Sequence, residues 1–166
     1  MSAPENLTDC YIEELGDLWS ANDQMVKVVR DLAEAAYDDD LAARLDKSAD
    51  GIDRHTETLR ELLEDCSEDS KERCKGMEGL VKEARKHALD QDFEDGEVRD
   101  VVIVAQYQRM CHYGICGFGT ATAFAEALGK SDHVERLDAI TADIYQADEN
   151  MTDLAERSVN LAAKDE

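Results

Sequence analysis

Proline is nearly missing from this chain: Pro4 is the only one, and it precedes the first periodic segment. No later helix is therefore interrupted by a residue that lacks an N–H and clashes with the preceding turn. Aromatic residues make up only 5% of the chain, while Ala, Leu, Asp and Glu are abundant, a composition that favours an all-α protein. No apolar run approaches the roughly 20 residues needed to span a bilayer. Positive charge is scarce as well: 18 Lys and Arg stand against 40 Asp and Glu, a formal net charge of −22. Such a surface repels phosphate backbones and anionic lipid, which speaks against nucleic-acid and membrane binding. Most of this acidity reads as a solvated face. Because Asp outnumbers Glu and Lys is infrequent, it also suggests adaptation to high salt, where the Debye length falls to about 3 Å at 1 M. On that reading, dialysis into low salt costs helix content.

CxxC pairs are missing too. The five cysteines, Cys10, Cys66, Cys74, Cys111 and Cys116, are odd in number. The chain is neither small nor led by a secretory signal, so a reducing, cytoplasmic compartment is expected. A length of 166 residues suits one domain, with residues 1–7 and 160–166 expected as flexible tails.

What is present is helical periodicity. Ile12, Leu15, Trp19, Val29 and Ala33 recur at helix spacing and predict a first helix over 8–36. The run Asp38, Asp39, Asp40 ends it and can cap a second helix over 41–66, which carries Leu45, Ile52, Leu59 and Leu62 on one face. Residues 67–95 are polar, but Met77, Leu80, Val81 and Ala84 predict a short helix within them, and Asp95-Gly96 reads as a turn. A third long helix follows over 97–128, stopped by Gly129. Ser131 is the expected N-cap of a fourth, with Val134, Leu137, Ile140, Ile144, Met151 and Leu154 inward. Two hairpins joined by one long crossover, with a short fifth helix on that crossover, is the ferritin-like variant of the four-helix bundle.

Bundles of this kind often hold two metal ions between carboxylates and Glu-x-x-His pairs, because two divalent ions in a desolvated core need anionic partners. No Glu-x-x-His occurs here. The inward stripes pass instead through Asn22, through His55 with Gly51 one turn before it, through Cys111 and Gly114, and through Ile144. No row of inward carboxylates appears. His87 and His133 fall outside the stripes and are expected on the surface, and Trp19 and Tyr113 read as core or interface aromatics.

The segment from Glu14 through Leu15, Gly16, Asp17, Leu18, Trp19, Ser20, Ala21, Asn22, Asp23 and Gln24 to Met25 resembles the opening helix of the YciE/YciF-type ferritin-like family. The stretch Cys74-Lys75-Gly76-Met77-Glu78-Gly79-Leu80 is similar to that family's connector, and Val98 through His112-Tyr113 to Thr120 to its third helix. Together the resemblances cover roughly residues 10 to 155. They imply a dimeric ferritin-like bundle linked to stress responses, with a di-iron or di-manganese centre. Where the family carries Glu or another acidic ligand, this chain has Asn22, Gly51, Cys111, Gly114 and Ile144, while His55 and His112 match family positions. The leading expectation is thus a homodimeric, non-enzymatic bundle protein that has lost the di-metal site, with no cofactor and a stress-related or protein-interaction role.

Two alternatives stand beside it, both centred on the segment from Arg109 to Thr120. Cys111 and His112, with His55 across the bundle, could bind zinc, copper or iron with altered ligands, in a metal-binding or oxidoreductase protein. Replacing Glu by Gly also removes volume, so the seam could take a small organic ligand. The plainer reading is packing: free Cys behaves as a small hydrophobe, and Gly114, Gly117 and Gly119 let helices approach closely. A thiol-redox role ranks lowest, since Cys111 and Cys116 should be buried. Cys66 and Cys74, on an exposed connector, are the better candidates for oxidation.

Overall fold

Four long helices pair as two hairpins. The computed structural model of the chain describes residues 3–66 and 73–164. Helix α1 spans Leu7–Ala35, α2 Asp39–Asp65, α3 Lys75–Ala84, α4 Gly96–Ala127 and α5 Ser131–Leu154. The last turn of α3 widens into a π turn at Arg85–Leu89, and α5 does the same at Ala155–Val159 before a final turn at Asn160–Ala162. Among the described residues there is no strand. α1 packs chiefly on α2 and α4 on α5; α1 also packs on α4, and α3 lies against both. α2 and α5 touch least among the long neighbours. The architecture is the ferritin-like bundle expected from the sequence.

The helix ends are set by local chemistry. Asn6, Asp38 and Asp95 each cap a helix by accepting a hydrogen bond from a first-turn N–H. Gly129, at φ +70°, closes α4 in the left-handed region, with Gly129 N donating to Glu126 O and Lys130 N to Ala125 O. That pair of bonds is a Schellman closure. Ser131 does not cap α5: it is the first helical residue, Lys130 stands at the cap, and no side chain bonds there. Leu7 and Asn160–Ala162, placed in the tails by the sequence, are helical. The first part of the crossover, 67–72, and the chain ends lie outside the described residues.

Two buried clusters hold the helices together. One joins Tyr11, Leu15, Leu18, Leu59, Leu62, Phe118 and Leu137; the other joins Val28, Leu32, Leu41, Leu45, Ile103, Tyr107 and Met110, with Met77 and Ala84 from α3. Each such large side chain contributes about 1.5–3 kcal/mol of burial.

Polar groups tie the connections to this core. Asp100 of α4 is 1% exposed, and its two carboxylate oxygens accept from Tyr37 N and Asp38 N at 2.8 Å each, which fixes the α1–α2 turn. Burial raises the Asp100 pKa despite those two N–H donors. Cys74, expected on an exposed connector, is instead buried and caps α3. Its N–H donates to Ser20 Oγ at 2.9 Å, and its carbonyl accepts from Gln24 Nε2 at 3.0 Å. Its thiol donates to Asp17 Oδ2 at 3.1 Å beside the Tyr113 hydroxyl, which reaches the same oxygen at 2.8 Å. These bonds clasp the crossover onto α1 and α4. Burial raises the pKa of that thiol, which makes it a poor target for oxidation.

Candidate functional site

A cavity of about 370 Å³ lies in the seam between the two buried clusters. All five of the positions where the resemblance implies acidic ligands line it: Asn22 on α1, Gly51 on α2, Cys111 and Gly114 on α4, and Ile144 on α5. His55 of α2 lines it as well. The apolar wall includes Met25, Ile52, Met77, Met110 and Met151. The size falls at the lower end of the range of roughly 300–1,000 Å³ for small-molecule sites.

The polar groups of this wall are mostly committed. His55 Nε2 lies 3.2 Å from Asp143 Oδ2, and the ring stands edge-on to Phe118. Burial lowers the His55 pKa and outweighs the opposing pull of Asp143, so the imidazole is neutral near pH 7. The Cys111 thiol is pushed up to about 12 by burial and is protonated. Tyr107 donates its hydroxyl hydrogen to Ser48 Oγ at 2.8 Å. Asn22 is the exception. It is only 6% exposed, and its Nδ2 has no hydrogen-bond partner. A buried donor left in that state costs about 1–3 kcal/mol.

The mouth of the cavity lies between α2 and α5, the loosely packed pair. Arg44, Lys47 and Arg54 line it from α2, and Asp143, Gln146 and Asn150 from α5. Arg44 is held by Asp40 at 3.0 Å and by the carbonyl of Asn150 at 3.1 Å.

Other residues singled out by the sequence are not in the seam. His112 points outward: its side chain is 63% exposed and its Nε2 sits 3.0 Å from Asp148 Oδ2. It is not among the residues that line the cavity, so the proposed His55–Cys111–His112 set is not assembled. Cys116, expected in the core, is exposed. His133, expected on the surface, is buried, and its Nδ1 shares a hydrogen bond with the Tyr11 hydroxyl at 2.8 Å. Spacing held the signal for it, since His133 precedes Leu137 and Ile140 by four and seven residues. Trp19 is only half-buried, while Tyr113 belongs to the connector clasp.

The donor set does not suit two hard cations, which take oxygen ligands and need charge compensation. The buried wall offers a neutral imidazole, a protonated thiol, a carboxamide and the Tyr107 hydroxyl, already bonded to Ser48, and its carboxylates, Asp40 and Asp143, stand at the solvent edge. Asp143 is an inward-reaching carboxylate that the sequence reading missed, since it neighbours Ile144 and its side chain is 70% exposed. Among the described residues, no three His, Cys, Asp or Glu side chains are grouped so as to hold a metal ion.

Comparisons with known proteins agree with this scaffold. A family described as a domain of unknown function, DUF892, matches residues 6–164. Protein YciF of Escherichia coli (strain K12) is 28% identical over 162 residues, covering 96% of each chain. The crystal structure of the E. coli stress protein YciF superposes with a TM-score of 0.86 at 29% identity, over 95% of this chain and 99% of that one. YcfI from Rhodopseudomonas palustris superposes with a TM-score of 0.84 at 27% identity, over 92% and 98%. The chain therefore belongs to the DUF892 family and is a YciF-type ferritin-like bundle.

Proposed function

We propose that this protein is a non-enzymatic, metal-free member of its family whose bundle seam receives a small organic ligand in place of two metal ions. The observation that carries the reading is the cavity itself: its buried wall is formed by apolar and neutral polar side chains, Asn22, His55 and Cys111 among them, and its charged residues stand at the mouth. A neutral or amphiphilic organic molecule suits such a wall, whereas two divalent cations would enter it without charge compensation. The protonated Cys111 and the neutral, Asp143-bound His55 supply no anionic ligand, which supports the metal-free part. The likeness to a stress protein of E. coli supports a role in stress physiology.

Native mass spectrometry of the full chain purified from its host tests the reading. The expected result is an organic species that is released on denaturation and missing from an Asn22→Leu variant prepared alongside. Bound iron or manganese, or a wild-type chain that carries nothing, would contradict it.

A further inference from the structure

Taking the seam as an organic-ligand site, as proposed above, we infer that it selects an aliphatic carboxylate, with the chain in the seam and the anionic head at the α2–α5 mouth. Three observations converge on this class.

The first is the distribution of cations. Lys47 and Arg54 are seven residues apart on α2, so they share one face, and both line the cavity mouth. Among the described residues neither has a carboxylate partner, although acidic residues outnumber basic ones 40 to 18 in the whole chain. In so acidic a protein, two unpaired cations at the rim of one cavity form a local anion site. Asp40 and Asp143 line the same cavity, Asp40 held by Arg44 and Asp143 beside His55, so Lys47 and Arg54 are the cations left for a carboxylate at the mouth.

The second observation is Gly51, midway between them. It carries no side chain, and the Arg54 Nη2 lies 3.7 Å from where a Cβ would stand. The guanidinium thus covers the opening that Gly51 leaves. A planar fork of N–H donors at that place suits a carboxylate, which accepts two parallel hydrogen bonds.

The third is the interior. Met25, Met77, Met110 and Met151 give a flexible apolar lining, which adapts to an unbranched chain better than branched side chains do. No cation reaches the buried end, so a carboxylate there would be desolvated without compensation. The head therefore belongs at the mouth.

Calorimetric titration of the full chain with sodium decanoate, 1-decanol and decyltrimethylammonium tests the class. Decanoate is expected to bind one per chain, at least tenfold tighter than either other probe. The double variant Lys47→Met, Arg54→Met, at two exposed positions, is expected to lose tenfold or more for decanoate with decanol unchanged. If decanol or the ammonium probe binds as tightly as decanoate, or if the double variant binds decanoate as wild type does, the carboxylate assignment falls while the seam remains an organic-ligand site. If no probe binds, the organic-ligand reading of the seam falls with it.

Discussion

Around Phe118 the bundle seam is full, and one to two turns earlier on α4, at Gly114 and Cys111, it is hollow. In the full half, Tyr11, Leu15, Leu18, Leu59, Leu62 and Phe118 interlock with no measurable exposure beyond 1%. Even the backbone comes close there: a Cβ added at Gly117 would stand 2.6 Å from Leu18 Cδ2. In the hollow half, a Cβ at Gly114 would meet only Ile144 at 3.4 Å and Phe118 at 3.9 Å, which is ordinary contact. The one helix α4 therefore makes two kinds of interface, a close one with α1 at Gly117 and an open one toward α5 at Gly114. One is closed by large apolar side chains; the other is lined by small or neutral residues. A seam can hold a cavity without collapsing as long as the neighbouring layers stay packed.

The sharpest test of that contrast is truncation on each side. Phe118→Ala should cost about 3–5 kcal/mol of unfolding free energy, whereas Ile144→Ala, at the edge of existing space, should cost about 1–2 kcal/mol. Equal losses in denaturant titrations would mean that the two halves are packed alike. Asn22→Leu should act in the opposite direction and stabilise the chain by about 1–3 kcal/mol, because it removes a buried donor that has no partner. A lower midpoint for this variant would show that the amide has a structural partner.

Glycine substitutions probe the same boundary with smaller effects. Gly114→Ala should gain up to about 1 kcal/mol in helix propensity. Gly117→Ala should lose that gain to overpacking against Leu18, a penalty of about 1–3 kcal/mol. If both variants stabilise, the full half has more slack than its contacts indicate.

The smallest expected effect is a pH slope shared by both halves, through His133 in one and His55 at the cavity. Burial lowers both pKa values, so the folded protein keeps these rings neutral. Below about pH 6.5 the unfolded chain takes up protons that the folded chain does not, and stability falls. Above about pH 6.5 their contribution is complete and flat. Stability measured from pH 8 to 5 should decline through this window, and His133→Gln should remove part of the decline. A wild-type profile that is level from pH 8 to 5 would show that the rings titrate normally.

The long helices were legible because their apolar residues keep one period and their ends carry Asp, Asn or Gly. The expected spans 8–36, 41–66 and 97–128 fall within two residues of α1, α2 and α4. That Asn22, Gly51, Cys111, Gly114 and Ile144 point inward was legible too, since all five line one cavity. What periodicity could not supply was direction within a turn. His112 and Cys111 are adjacent in sequence yet face opposite environments, because successive helical residues are rotated by about 100°. Cys74 was misplaced for another reason: polar neighbours suggested exposure, while its burial depends on Asp17, Ser20 and Tyr113 from two other helices. Asp143 and its reach to His55 were hidden for the same reason, since an exposed position can still send a side chain across a cavity mouth.

The most direct measurement is the metal content of the full chain purified from its host after growth with iron and manganese both supplied. A seam walled by neutral side chains predicts iron plus manganese far below one ion per chain, with no change in the Asn22→Leu variant. Two ions per chain, lost in that variant, would contradict it.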